Sequence, residues 1–216
     1  MDPVFPRLHL VTDARPGRDA LSVVHAAVSV APPGALAVQV RVEDELTDRQ
    51  AYEFALAVLG ICRPNDVLCL VNDRLHVALA VGADGGHVGA DDLPVAAARN
   101  VLGRLGVLGA TCRDAPAARA AVAAGASYLG VGPAYPSTTK DGLPEPLGPA
   151  GVGSVAQAVP GTPVIAIGGI TVDRAGPLRG AGAYGVAVVG ALANAADPGL
   201  ATAELLKAVG SAEGTA

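Results

Sequence analysis

The fold class that this sequence predicts is a single-domain (β/α)8 TIM barrel, and three observations predict it. Short β-branched runs alternate with Ala-rich stretches of helical composition through eight successive units. The core has to be aliphatic, because the 216 residues include no Trp and only 2 Phe while 51% are apolar, a composition that suits buried parallel strands under Ala-rich helices. Polar side chains gather after the strand-like runs, at the end of a barrel where active sites are built. Eight βα units with right-handed crossovers close most naturally into a barrel, with an open doubly wound sheet as the competing arrangement.

Taken in order, the strand-like runs are Leu8–Thr12, Ala35–Arg41, Val67–Asn72, Gly85–Val88, Gly106–Thr111, Tyr128–Gly132, Pro163–Gly168 and Gly185–Gly190. Helix starts are marked by Thr47-Asp48 in the second unit, Asp114-Ala-Pro in the fifth, Thr171-Val-Asp in the seventh and Asp197-Pro198 in the eighth. At such positions a side-chain oxygen accepts from the open N–H groups of a first turn, and Pro fits where no N–H is needed. Gly82, Gly103, Gly125, Gly182 and Gly210 stand where a residue past the last turn closes a helix. Gly-Ala-Asp (82–84), Gly-Ala-Ser (125–127) and Gly-Ala-Tyr (182–184) recur before the fourth, sixth and eighth runs, a weak internal repeat. One domain is expected over residues 1–216, with a frayed tail after about residue 210.

Composition also excludes functions. A formal net charge of −5 and the lack of a basic cluster argue against a broad nucleic-acid surface, so an anionic ligand has to be gripped locally. Gly, Pro or charge interrupts every apolar stretch before membrane-spanning length, and the N-terminus lacks a basic region followed by an apolar run; a soluble protein is expected. Cys62, Cys69 and Cys112 form an odd set without a C-x-x-C pair, which fits neither a disulfide framework nor structural zinc and points to the cytoplasm.

The most specific chemistry lies in residues 130–141, Gly-Val-Gly-Pro-Ala-Tyr-Pro-Ser-Thr-Thr-Lys-Asp. There an apolar strand gives way to a loop in which Ser137, Thr138 and Thr139 offer hydroxyls and Lys140, one of only 2 lysines, a compact cation: the makings of an anion site. A solvated turn is the bland alternative. Gly168-Gly169 and Val189-Gly190 present backbone N–H groups at helix starts, the common phosphate position of barrels, although the same glycines also suit tight turns. Asp73 and Asp92 close the third and fourth units, and two carboxylates facing one mouth call for a cation. Mg2+, which combines a few carboxylates with water and phosphate oxygens, answers that need. Asp92 or Asp91 could equally cap the next helix. His9 and His87 read as core or layer residues and Cys112 as a small apolar filler, since no Gly-x-Ser-x-Gly elbow or metal-binding His pair accompanies them.

In order and spacing, Val71-Asn72-Asp73-Arg74, Gly82-Ala-Asp-Gly-Gly-His-Val-Gly-Ala-Asp-Asp92-Leu-Pro, the run from Gly130 to Lys140, and Ala166-Ile-Gly-Gly-Ile-Thr171 resemble the thiamine-phosphate synthase family. The resemblance extends from Leu10 to the final helix. It implies a barrel transferase that joins 4-amino-2-methyl-5-(diphosphomethyl)pyrimidine to a thiazole phosphate and releases pyrophosphate, with Mg2+ as cofactor and small phosphorylated molecules as partners. It implies that Asp73 and Asp92 hold the metal, that Asn72 and Lys140 contact the diphosphate, and that Gln39 and Arg41 form the substrate motif ending the second strand. Ser137 and Thr139 stand at thiazole-phosphate contacts, Thr111 where the family usually has Ser, and Gly168, Gly169, Val189 and Gly190 at phosphate-cradling turns, Gly190 in place of a common Ser. Lys140, Arg41 and Thr111 are the residues expected to act on the chemistry. A thiazole tautomerase or a ligand-binding regulatory protein is the alternative from the same resemblance; Arg113, near where tautomerases carry His, speaks against the first.

One position departs from that pattern. The family motif Gln-x-Arg-x-Lys reads Gln39-Val-Arg41-Val-Glu43 here. A carboxylate in place of a cation beside a diphosphate turns attraction into repulsion of about 4 kcal/mol at about 4 Å and an effective dielectric of about 20. Gln39, Arg41 and Glu43 share one strand parity, so Glu43 is expected to border the diphosphate site, to make the protein a weak or altered synthase, and to gain a contact on Glu43→Lys.

Overall fold

The computed structural model of the chain describes residues 5–137, 142 and 144–210. The strands are β1 (Leu8–Val11), β2 (Leu36–Val40), β3 (Leu68–Asn72), β4 (Gly85–Val88), β5 (Val107–Cys112), β6 (Tyr128–Val131), β7 (Val164–Ile167) and β8 (Gly185–Val188). Every strand pairs in parallel with its neighbours in sequence, and β8 returns to β1, so the sheet closes into a barrel. Around it run α1 (Ala20–Val30), α2 (Asp48–Cys62), α3 (Leu75–Val81), α4 (Val95–Leu102), α5 (Ala115–Ala123), α6 (Gly148–Ala158) and α7 (Val172–Gly180). The last unit carries a short α8 (Gly190–Ala193) before its long helix α9 (Pro198–Val209). The eight-strand expectation holds, with strand bounds differing by no more than two residues.

Strand alternation sorts the side chains into two cores. Leu8, Leu10, Leu36, Val38, Val40, Cys69, Val71, Leu108, Leu129, Val164 and Val186 point outward and pack with the helices' buried Val, Leu and Ala residues. Each fully buried Leu or Val there contributes about 1.5–3 kcal/mol. Val11, Leu70, Tyr128, Ile165 and Ala187 share the other parity and fill the barrel interior. Small residues make room for the one large ring: a Cβ on Gly109 would collide with Tyr128 and His87, and one on Gly130 would come within 2.9 Å of the His87 ring. Cys62, Cys69 and Cys112 are free and buried.

Helix ends follow the local signals. Asp19, Thr47, Asp114 and Asp197 each accept a first-turn N–H at the start of α1, α2, α5 and α9, and at α2 Gln50 reciprocates to complete a capping box. Thr171 holds the cap position of α7 without a side-chain bond. Asp92 does not cap α4, whose cap residue is Pro94; its carboxylate turns back to the Gly89 N–H at 2.7 Å.

Candidate active site

The C-terminal ends of the strands gather the polar side chains, beginning with β1 and β2. The Thr12 side chain clamps the Arg41 backbone, accepting its N–H at 2.8 Å and donating to its carbonyl at 2.7 Å, so β2 is tied to β1 one residue past the ladder. Gln39 is buried inside the barrel and Arg41 follows on the same parity, at the mouth. Beside them the buried Asp13 carboxylate accepts two 2.7 Å bonds from Arg15 and pairs with Arg18 at 3.3 Å. The Arg15 hydrogen bond, together with attraction to both guanidiniums, holds the Asp13 carboxyl below its usual pKa. Glu43 is half-buried, with Oε1 3.6 Å from Arg41 Nη1. Asp13, Arg15 and Arg18 were not singled out from the sequence; the signal available was the charged pattern that directly follows the first strand.

At β3 and β4, Asp73 adopts a left-handed backbone with φ 60°, and its N–H donates to the His87 carbonyl at 2.8 Å. This bond fixes the end of β3 to the end of β4. Asn72 Nδ2 donates to Asp73 Oδ2 at 2.5 Å, so the two neighbours form one polar unit. Asp73, Asp91 and Asp92 are exposed. Among the described residues, no group of three or more His, Cys, Asp or Glu forms a metal cage.

Beneath this rim lies a polar relay. His87 Nε2 is 2.9 Å from Thr111 Oγ1, and Nδ1 is 3.0 Å from the Tyr128 hydroxyl, which also interacts with the Gln39 side chain. Burial lowers the His87 pKa to about 4, so the ring is neutral near pH 7 and donates through one nitrogen while accepting through the other. Gln39 and Thr111, on strands far apart in sequence, are thereby linked through Tyr128 and His87. His87, read as a layer residue from the sequence, is one by burial and also touches the site. Its sequence signal was parity, since it shares the inward face with Gly85.

On the opposite side, the loop after β6 is bound to β7: Ala134 N donates to the Ile167 carbonyl at 2.7 Å and Tyr135 N to the Gly168 carbonyl at 3.0 Å. Gly168 and Gly169 have φ of 97° and 63°, and a Cβ on either would strike Pro133 or the Pro136 carbonyl. Arg174 stacks over Tyr135 at 4.8 Å and donates to the Gly169 carbonyl at 2.6 Å, bracing the turn from behind. Val189 caps α8, and the first N–H groups of that turn, Gly190 among them, have no acceptor within the helix. Pairing of Ile167 with Ala187 brings the two turns side by side. Ser137 is half-buried at the near end of the hydroxyl loop. Thr139 and Lys140 lie outside the described residues. Arg113 donates to the carbonyls of Gly132 and Glu145 and thus anchors both ends of this loop.

Gln39, Arg41, Asn72, Asp73, Asp92, Thr111, Ser137, Gly168, Gly169, Val189 and Gly190 therefore all stand at the same end of the barrel. Comparison with known proteins shows what the whole chain is similar to. A family model described as Thiamine monophosphate synthase matches residues 8–192. Thiamine-phosphate synthase of Salinispora tropica is 66% identical over 203 residues, covering 94% of this chain and 97% of the relative. The protein of the same name from Haloquadratum walsbyi is 44% identical, covering 94% and 91%. Among solved structures, thiamine phosphate pyrophosphorylase from Pyrococcus furiosus superposes with a TM-score of 0.83 at 33% identity, covering 94% of this chain and 95% of that one. A 3-hexulose-6-phosphate synthase, at 19% identity and a TM-score of 0.71, shares the fold alone.

Proposed function

We propose, from the premise that the chain belongs to the thiamine monophosphate synthase family, how its residues divide the work of that family's transferase reaction. The pyrimidine diphosphate occupies the half of the mouth formed by β2, β3 and β4, and the thiazole phosphate the half formed by β6, β7 and β8. The observation that carries this division is the pairing of two distinct features on one rim: the glycine turns after β7 and β8, whose open N–H groups suit an anion, and the carboxylates after β3 and β4, which suit a cation that a diphosphate would share.

Asp73 and Asp92 fit Mg2+ as hard oxygen donors, and the Gly89 N–H steadies the Asp92 carboxylate. With so few protein ligands, water and substrate phosphate would complete the coordination shell. The ion, when bound, supplies charge neutralisation for the departing pyrophosphate. The rest falls to the chain's own groups. Arg41, Asn72 and Lys140 bind the diphosphate; Gln39 and Thr111, oriented by the relay through Tyr128 and His87, receive the aminopyrimidine. Ser137, Thr139 and the N–H groups at Gly168, Gly169, Val189 and Gly190 hold the thiazole phosphate so that its ring nitrogen faces the pyrimidine methylene carbon. The C–O bond breaks with its electron pair leaving on pyrophosphate, the electron-rich pyrimidine carries the developing positive charge, and the thiazole nitrogen forms the new C–N bond. No proton has to be abstracted, in keeping with a buried neutral His87 in place of a general base. Catalysis is positioning and electrostatic stabilisation.

The test is release of pyrophosphate that requires both substrates and Mg2+. Asp73→Ala and Asp92→Ala are expected to lose most Mg2+-dependent turnover while keeping the folded circular-dichroism spectrum. Full activity of the Asp92 variant would move the ligand role to Asp91 or remove it. Lys140→Ala is expected to slow the chemical step more than it weakens thiazole-phosphate binding, because the ammonium faces charge that grows on the leaving group. Binding of the thiazole phosphate without turnover would favour a regulatory protein instead.

A further inference from the structure

Glu43 stands next to the diphosphate half of the mouth, where a carboxylate looks out of place, yet its surroundings show what it does. Its Oε1 is buried and has no hydrogen-bond partner among the described residues. Arg41 Nη1 is 3.6 Å away, too far for a hydrogen bond and close enough for a strong charge interaction. The Arg41 guanidinium makes no hydrogen bond among the described residues, and among them that ion pair is its one polar restraint. The Arg41 backbone is fixed by Thr12, which leaves the long side chain as the mobile part. On the other side Glu43 attracts Arg15, already gripped by Asp13. Arg74 holds the loop from below by donating to the carbonyls of Glu43 and Asp44 at 3.4 and 3.3 Å.

We infer that Glu43 is a positioning residue for Arg41: its ion pair draws the guanidinium over the barrel mouth while leaving the N–H donors open for the substrate diphosphate. A carboxylate at hydrogen-bonding distance would compete with phosphate for those donors. At 3.6 Å, Glu43 directs the side chain without occupying them. The local balance stays cationic, with Arg15, Arg18 and Arg41 against Asp13 and Glu43. The inference rests on Arg41 being a diphosphate contact, and it reverses the expectation for a lysine at position 43: the new ammonium would face Arg41 and Arg15 and push both away.

The experiment measures pyrophosphate binding in the presence of Mg2+ by calorimetry, alongside steady-state kinetics, for the intact protein and five variants. Glu43→Gln keeps the shape and removes the charge. It is expected to weaken pyrophosphate and raise KM for the pyrimidine diphosphate about five- to tenfold, with kcat and the thiazole-phosphate KM nearly unchanged. Glu43→Asp, which keeps the charge, should recover part of that loss, and Glu43→Lys should bind more weakly than Glu43→Gln. In an Arg41→Met background, Glu43→Gln should add no further loss, as expected when one residue acts through the other. Unchanged or tighter pyrophosphate binding by Glu43→Gln, or improved turnover by Glu43→Lys, would overturn the inference. Pyrophosphate affinity insensitive to Arg41→Met would instead overturn the assignment of Arg41 to the diphosphate, a result distinguishable from the first.

Discussion

His9 shows how a single buried side chain contributes to the pH response of the barrel, alongside the likewise buried His87. It lies on the inward face of β1, with ring centroids 5.4 Å from Phe5 and 5.3 Å from Tyr128, and its Nε2 is 3.2 Å from the Pro6 carbonyl. Burial, with a smaller contribution from His87, lowers its pKa from 6.5 to about 3. The unfolded chain therefore binds a proton that the folded one refuses. The neutral ring's stability is fully present above about pH 6.5 and falls by about 1.4 kcal/mol per pH unit below it, until the folded pKa is reached. Urea unfolding at pH 7 and 5.5 should show His9→Phe losing less stability than the parent over that interval; equal losses would mean that His9 is not the group being protonated. Glu43 and His87 mark the limit of what single residues reveal in sequence. Parity gives a face to His87 inside its strand but not to Glu43, which lies past the end of β2 at Val40, and the partners that give them meaning, Thr111 with Tyr128 for one and Arg15 for the other, arrive through the pairing of distant segments.

At the scale of elements, the signals were local and so were legible. Thr47 and Gln50 form a capping box at α2, and both are visible three positions apart before an apolar run. Thr47→Ala should cost about 1 kcal/mol in chemical denaturation without affecting the substrate KM values, since the cap faces solvent. Local signals left Asp92 open between a metal ligand and a helix cap, and the carboxylate does not cap α4 but bonds inside its own loop to Gly89. A side chain has several N–H groups within reach, and only the folded loop decides among them. The turn after β7 joins both kinds of information. Gly169 has φ of 63° and touches the backbone of the β6 loop, so Gly169→Ala meets strain and collision together. It is expected to destabilise the fold by about 1–3 kcal/mol and to raise the thiazole-phosphate KM, because the loop that carries Ser137 must retreat. A variant with normal stability and a normal KM would show that the turn tolerates a side chain.

For the whole molecule, the count of eight βα units favoured closure over an open doubly wound sheet, and the structure is closed: no edge is left exposed once β8 meets β1. The interior could not be read in the same way. Which strands contribute large residues and which contribute glycine depends on the stagger of the closed sheet, and the cross-strand fit of Tyr128 against Gly109 is a product of that stagger. Gly109→Ala alone should destabilise the barrel by about 1–3 kcal/mol by overpacking, whereas in a Tyr128→Leu background the same methyl should cost much less; equal costs in the two backgrounds would show that the ring yields easily. The fit also bears on descent. A side chain at Gly109 and the ring of Tyr128 compete for one space, so the order in which the two positions change decides what each change costs. The two positions are thus coupled, and the cheaper route away from this arrangement runs through the tyrosine first.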